Sequence, residues 1–198
     1  MEKKRVFLIG DSIRIGYCET VREQLADVAE VFYPEGNCQN SQNILICLAR
    51  WVAELADPEG IDLVQFNCGH WDINHWNGMP EPLTSPGEYE KNIRKILFAL
   101  GKYFPKAKIV FATTTPMNPD GSGMLRENYR STEEIARYNA IATAVAEEQG
   151  VAVNDLFAFA KDWGAETYAD TCHYTAEAFA ELGAEVTKVL RIALEETK

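Results

Sequence analysis

Three polar residues near the two ends of the chain could together perform nucleophilic catalysis. Ser12 follows an apolar run, and Asp170 and His173 lie three residues apart near the C-terminus, a spacing that a helical turn would place on one face. A serine hydroxyl is a weak nucleophile until a base accepts its proton, and an imidazole oriented by a carboxylate can be that base. We therefore predict that these residues are nucleophile, orienting acid and general base. A turn serine beside a surface Asp and a capping His is the alternative.

A buried strand must position Ser12. Residues 6–9 are all apolar and two are β-branched, which is typical of a strand covered on both faces, and Gly10 permits a tight turn after it. Ligands bind at the carboxyl ends of the strands in open parallel sheets. This strand would therefore carry Ser12 to the edge where binding occurs.

The rest of the chain alternates between strand and helix patterns. We predict further strands at 29–33, 62–67, 108–115 and 151–154. Helical spacing of apolar residues occurs between them, with capping signals at Ser85, Ser131 and Thr175. We also predict a short helix at 19–25 and a loop with Gly and Pro at 117–130. Such alternation favours βαβ units, so we predict one α/β domain over residues 1–198 with a largely parallel sheet.

The charge balance excludes several kinds of partner. The chain has 198 residues and a formal net charge of -11, which argues against nucleic-acid and anionic-membrane binding. There is no apolar stretch long enough to span a bilayer and no signal-peptide pattern at the start, so we expect a cytoplasmic protein.

The five cysteines include no CxxC pair, and we expect reduced thiols. The oligomeric state stays open.

Two short motifs resemble those of the SGNH/GDSL hydrolase superfamily. Gly10-Asp11-Ser12 follows the first strand as the family's GDS block does, and Asp170-Thr171-Cys172-His173 has the form of its final D-x-x-H block. The order of elements is similar along essentially the whole chain. The resemblance implies a flavodoxin-like three-layer α/β/α fold with a five-stranded parallel sheet. It also implies a Ser-His-Asp hydrolase acting on esters.

The resemblance leaves the oxyanion hole only partly accounted for. The family uses the nucleophile's N–H, a glycine N–H in a second block and an asparagine in a third block of the form G-x-N-D. Here Trp71 stands where that asparagine is expected. Asn67 and the Trp71 indole are our first candidates to replace it, although Trp71 could instead form an aromatic wall. In the second block the candidates are Gly36 and Asn40, whose alternative roles are a turn glycine and a helix N-cap.

The resemblance, together with these residues, implies a serine carboxylester hydrolase that cleaves short acyl esters, and the aromatic loop around Trp71 and Trp76 favours O-acetyl groups on carbohydrates. A non-catalytic carbohydrate-binding domain and an acyltransferase are the alternatives. We expect no cofactor. A metal site at His70, Asp72 and His75 is disfavoured because the loop lacks recognisable ligand spacing.

Overall fold

The computed structural model describes residues 3–121 and 127–196, which contain seven strands and six α-helices. The strands are β1 (Lys4–Ile9), β2 (Ala29–Phe32), β3 (Leu63–Phe66), β4 (His75–Trp76), β5 (Lys108–Ala112), β6 (Asn128–Tyr129) and β7 (Ala152–Asn154). Five of them form one sheet in the order β2-β1-β3-β5-β7, and every pairing in it is parallel. The predicted α/β class and five-stranded parallel sheet are confirmed.

Helices cover both faces of the sheet. They are α1 (Ser12–Gln24), α2 (Ser41–Ala53), α3 (Pro86–Tyr103), α4 (Thr132–Glu148), α5 (Leu156–Ala160) and α6 (Ala176–Glu195). Helices α1 and α6 pack together and contribute to one hydrophobic core, whereas α2, α3 and α4 contribute to the other. The result is the three-layer α/β/α arrangement that the resemblance implied.

Strand β1 shows why the sheet needs both layers. Val6 and Leu8 belong to one core, and Phe7 and Ile9 belong to the other. All four side chains are at most 2% exposed. Successive strand residues point to opposite faces, so a continuous apolar run is buried only when helices lie on both sides. Strand β1, which lies between β2 and β3, is thus held in the sheet interior, and its carboxyl end delivers Ser12 to the sheet edge.

The predicted caps of three helices are confirmed. The side-chain hydroxyls of Ser85, Ser131 and Thr175 accept hydrogen bonds from the backbone N–H three residues later at the starts of α3, α4 and α6. Helix α1 differs from the prediction, because it begins at Ser12 itself rather than at about Glu19. Arg14 and Gly16 interrupt the apolar pattern in the first turns of α1, so the pattern did not indicate that the helix begins at Ser12.

A small antiparallel ribbon was not predicted. Strands β4 and β6 pair His75 with Tyr129 and Trp76 with Asn128. Each strand has two residues, which is too short for a hydrophobic period to be detected. The predicted loop at 117–130 therefore contains β6, and its residues 122–126 lie outside the described part of the chain. The ribbon joins the loop after β3 to the loop after β5, beside the sheet edge that carries Ser12.

No helix in residues 3–121 and 127–196 combines the length and the apolar character that a membrane crossing requires.

Candidate active site

Ser12 lies where β1 turns into α1. Asp11 is the N-cap of α1, and its Oδ1 accepts hydrogen bonds from the Ile13 backbone N–H and from Asn67 Nδ2, each at 3.0 Å. Burial raises the pKa of Asp11, and these two hydrogen bonds together with the charges of Arg130 and Arg14 oppose that shift. The turn that presents Ser12 is therefore held by a buried carboxylate bonded to both α1 and the end of β3.

Gly10 permits close packing at this turn. A side chain at Gly10 would collide with Asn67 Oδ1 and approach Arg14 Cβ to 2.7 Å. We expect Gly10→Ala to destabilise the protein by about 1–3 kcal/mol, since an extra methyl in a packed site forces neighbours to shift. The ester hydrolysis that the resemblance implies should fall further than the loss of stability explains, because the turn carries Ser12. Urea unfolding and turnover of p-nitrophenyl acetate measure the two effects.

Gly101 provides the matched control. It lies inside α3, and a Cβ there would meet no atom within 4 Å. Gly101→Ala should stabilise the protein by about 0.5–1 kcal/mol, because alanine loses less backbone entropy in a helix. A Gly10→Ala protein with wild-type stability and turnover would contradict the close packing.

The side chains of Ser12, His173 and Asp170 form one hydrogen-bonded chain. His173 Nε2 lies 2.7 Å from Ser12 Oγ, and His173 Nδ1 lies 2.7 Å from Asp170 Oδ2. Serine and histidine are separated by 161 positions in sequence, so only the fold brings them together. A hydroxyl bonded to an imidazole that is itself bonded to a carboxylate can be deprotonated as it attacks a carbonyl carbon.

The segment carrying Asp170 and His173 is a turn and not the helical turn that their spacing suggested. Tyr168 and Tyr174 form an antiparallel bridge around it. Asp170 Oδ1 accepts the backbone N–H groups of Cys172 at 2.9 Å and of His173 at 2.8 Å. Local side-chain bonding of this kind competes with helix formation. It leaves the second carboxylate oxygen free to hold the imidazole.

The charges and hydrogen bonds around Asp170 and His173 favour a protonated imidazole. Burial alone would raise the pKa of Asp170, but the backbone N–H groups of Cys172 and His173 and the imidazole lower it below its ordinary value. Hydrogen bonding to the Cys172 sulfur, together with the Asp170 carboxylate, raises the pKa of His173 to about 9 against the effect of partial burial. The imidazolium that would form when Ser12 loses its proton is thereby stabilised.

The second-block candidates lie on the loop between β2 and α2. The Gly36 carbonyl accepts a hydrogen bond from Arg14, and Cys38 donates its backbone N–H to the Gly10 carbonyl at 3.1 Å. Asn40 is the N-cap of α2, with its Oδ1 accepting from the Asn43 N–H at 2.8 Å. The loop is therefore fastened to the turn beside Ser12.

The two candidates for the third oxyanion donor occupy different surroundings. The Asn67 amide is buried beneath Gly10 and donates to Asp11, so its visible contact positions the turn. Trp71 is half-buried, and its ring centroid lies 5.2 Å from that of Trp76. Among the described residues, no hydrogen bond joins Ser12 to Gly36, Asn40, Asn67 or Trp71.

The residues considered for a metal site have separate partners. Asp72 accepts from the Ser41 N–H and hydroxyl, and burial raises its pKa to about 6. His75 contacts Glu134 at 3.2 Å, whereas His70 Nε2 contacts Thr115 Oγ1 at 3.2 Å. In the described ranges, the one group whose ligand atoms lie together is Asp170, Cys172 and His173, within 4.8 Å of one another.

Sequence reasoning missed three residues around the site. Gln39 has a φ of 59°, a left-handed conformation unusual for a non-glycine residue, in the second-block loop. Arg14 is buried and donates to the Gly10 carbonyl at 3.4 Å and to the Gly36 carbonyl. Arg130 donates to the His70 carbonyl at 3.0 Å. Their placement depends on tertiary packing, and an arginine two residues after Ser12 was the only available signal.

Together with the fold, the family comparison places the chain in the class of α/β ester hydrolases. More specifically, the chain belongs to the GDSL-like Lipase/Acylhydrolase family, whose family model matches residues 8–180. No curated protein shows a significant match.

Solved structures show the same fold at low sequence identity. The chain is similar to a lipase/acylhydrolase from Enterococcus faecalis, with a TM-score of 0.75, 19% identity and 95% of each chain covered. It is similar to the acetyl xylan esterase AlAXEase, with a TM-score of 0.71, 18% identity, and 94% of this chain and 99% of that chain covered. It is also similar to Est24, a carbohydrate acetylesterase from Sinorhizobium meliloti, with a TM-score of 0.70, 15% identity, and 96% and 99% covered.

Proposed function

We propose that the protein is a serine carboxylester hydrolase that removes short acyl groups, with O-acetyl groups on carbohydrates as the favoured substrates. The observation that carries the proposal is the continuous Ser12–His173–Asp170 chain, with 2.7 Å at each contact. Family membership supports an acylhydrolase.

The proposed reaction has two halves. Ser12 Oγ attacks the ester carbonyl carbon while His173 Nε2 takes the hydroxyl proton, and the imidazolium then protonates the departing alcohol oxygen as the ester bond breaks. In the second half, His173 takes a proton from water, the water oxygen attacks the acyl-enzyme, and the proton returns to Ser12 Oγ as the acid leaves. Asp170 keeps Nδ1 protonated and Nε2 directed at Ser12 throughout.

Backbone donors at two helix starts are proposed to stabilise the oxyanion. Ser12 is the first residue of α1, so its N–H faces outward from a helix N-terminus, where negative charge is favoured. The N–H of Asn40 lies at the start of α2, and Gly36 lies on the same loop. We assign Asn67 to hold Asp11 in place, because its amide donates there. We assign Trp71, the other third-block candidate, to the aromatic surface that it forms with Trp76.

The preference for carbohydrate esters rests on the aromatic surface and on two relatives. The Trp71 and Trp76 rings lie side by side with 44° between their planes, and aromatic faces suit sugar rings. AlAXEase is an acetyl xylan esterase and Est24 a carbohydrate acetylesterase. Acetate release from acetylated xylo-oligosaccharides, compared with hydrolysis of a long-chain p-nitrophenyl ester, tests this preference. Faster turnover of the long-chain ester would contradict it.

The pH dependence should report His173. The imidazole must be neutral to accept the Ser12 proton, so a pKa of about 9 means that activity is lost as pH falls through that value. We expect kcat/KM for p-nitrophenyl acetate, corrected for spontaneous hydrolysis, to rise from pH 6 to about pH 9. Cys172→Ala should move the midpoint to lower pH, since it removes the sulfur that favours the imidazolium.

Cys47→Ala is the matched control for that profile. Cys47 lies on α2, and its contact is with Asn43. Its removal should leave the midpoint unchanged. An identical midpoint in wild type and Cys172→Ala would show that the sulfur does not set the pKa of His173.

A further inference from the structure

Arg130 occupies a position that the proposed reaction does not use. It lies between β6 and the N-cap of α4, and its Nη1 donates to the His70 carbonyl at 3.0 Å. Its Nη2 lies 3.6 Å from Cys172 Sγ. His70 directly precedes Trp71, and Cys172 directly precedes His173. The guanidinium therefore bridges the two segments that carry the aromatic surface and the proposed base.

Within the part of the chain that the structure describes, the positive charge of Arg130 has no direct counter-ion. None of the carboxylates in residues 3–121 and 127–196 forms an ion pair with it, and its Nε is buried without an acceptor. Five other arginines have carboxylate partners: Arg5, Arg22, Arg94, Arg137 and Arg191. Arg14 instead donates to the Gly10 and Gly36 carbonyls. Although the chain has 30 acidic residues and 19 Lys and Arg, no carboxylate in the described ranges pairs with Arg130.

Two acidic groups of the site, Asp170 and Asp11, are already engaged with other partners. Asp170 accepts two backbone N–H groups and the His173 imidazole. Asp11 is fully buried and bonded to α1 and Asn67, and Arg130 acts on it only through longer-range attraction. The sulfur of Cys172 is a weak acceptor for the remaining terminal nitrogen. A half-buried cation in these surroundings is stabilised when a stronger acceptor arrives with negative charge.

We propose that Arg130 receives a carboxylate of the substrate, so that the preferred substrates are acyl esters of acidic sugars such as uronic acids. The proposal rests on the proposed function, since it names the substrate class of the same site. The planar guanidinium suits a carboxylate, and the Trp71 and Trp76 rings lie on the segment that Arg130 contacts through His70. An acidic sugar would place its ring on the indoles and its carboxylate at Nη2, in place of the weak contact to sulfur.

A matched pair of substrates tests the proposal. One is a mono-O-acetylated methyl glucuronoside, and the other is its glucuronamide analogue, which differs in the charge of one group. At low ionic strength, wild-type kcat/KM should favour the acid by about tenfold or more, as expected for a charge-assisted hydrogen bond. Arg130→Gln should bring the ratio close to one, and Arg130→Lys should retain part of it. Added salt should reduce the wild-type ratio.

Arg94→Gln is the control, because Arg94 lies on α3 and pairs with Glu90 and Glu148. For Arg94→Gln, the ratio of kcat/KM for the acid to kcat/KM for the amide should equal that of the wild type. Equal wild-type rates on the two substrates would overturn the proposal, as would an Arg130→Gln protein that loses both activities in the same proportion. Should Arg130→Gln fail to fold, competitive inhibition of the wild type by glucuronic acid but not by glucuronamide supports the carboxylate site, and equal inhibition overturns it. A protein that hydrolyses p-nitrophenyl acetate but shows no preference for the acidic sugar would support the proposed function and overturn this inference.

Discussion

Replacing Ser12 by alanine should reduce kcat for p-nitrophenyl acetate on the order of 10⁴–10⁶-fold, the range expected when a nucleophile is removed. The loss should be large because Ser12 Oγ is the group that His173 Nε2 contacts at 2.7 Å. No acyl-enzyme can form without it. The measurement is steady-state turnover with a protein concentration high enough to quantify the residual rate.

The fold should survive this change. Ser12 begins α1, but the capping hydrogen bond to Ile13 comes from Asp11, which the substitution leaves in place. Ser85→Ala is the control serine, since it removes the cap of α3 and should lower stability by about 1 kcal/mol without loss of turnover. If Ser12→Ala retained more than a tenth of wild-type kcat in a folded protein, the assignment of the nucleophile would be wrong.

His173→Ala should cause a loss of similar size, on the order of 10⁴–10⁶-fold in kcat. The imidazole is the hydrogen-bond partner of the Ser12 hydroxyl, and without it the hydroxyl proton has no acceptor. Because nucleophile and base act as one unit, the double variant Ser12→Ala/His173→Ala should be hardly worse than either single variant. Turnover of the three proteins under the same conditions tests this non-additivity.

His75→Asn serves as the histidine control. His75 contacts Glu134 and the Met79 carbonyl, and within residues 3–121 and 127–196 no hydrogen bond joins it to Ser12, His173 or Asp170. It should turn over p-nitrophenyl acetate at close to the wild-type rate. A His173→Ala protein with near-full activity, or losses that multiply in the double variant, would show that the two residues do not act together.

Strand β1 and the helix caps could be predicted from sequence because their signals are local. A doubly buried strand is apolar throughout, as residues 6–9 are, and a capping serine precedes its helix by one position, as Ser85 and Ser131 do. The relation between Ser12 and His173 was predicted only from residue chemistry and resemblance. The hydrogen bond between them shows how the parallel topology closes that distance.

The surroundings of the site were harder to predict because they depend on packing. From sequence, Asn67 could be either an oxyanion donor or a support for a turn. Its hydrogen bond to Asp11 forms because β1 and β3 pair in the sheet. Arg130 follows a two-residue strand in a long loop, so nothing near it in sequence shows that it meets His70 and Cys172. The contacts of Asn67 and Arg130 depend on which strand ends lie next to each other in the sheet.

The most direct test of the central claim is covalent labelling by an active-site-directed fluorophosphonate. Mass spectrometry of the wild-type protein should show one adduct per chain, located on the peptide that contains Ser12. The adduct should be absent from Ser12→Ala and should form far more slowly in His173→Ala. A folded wild-type protein that acquires no adduct, or one whose labelling persists unchanged in Ser12→Ala, would contradict the assignment of Ser12 as an activated nucleophile.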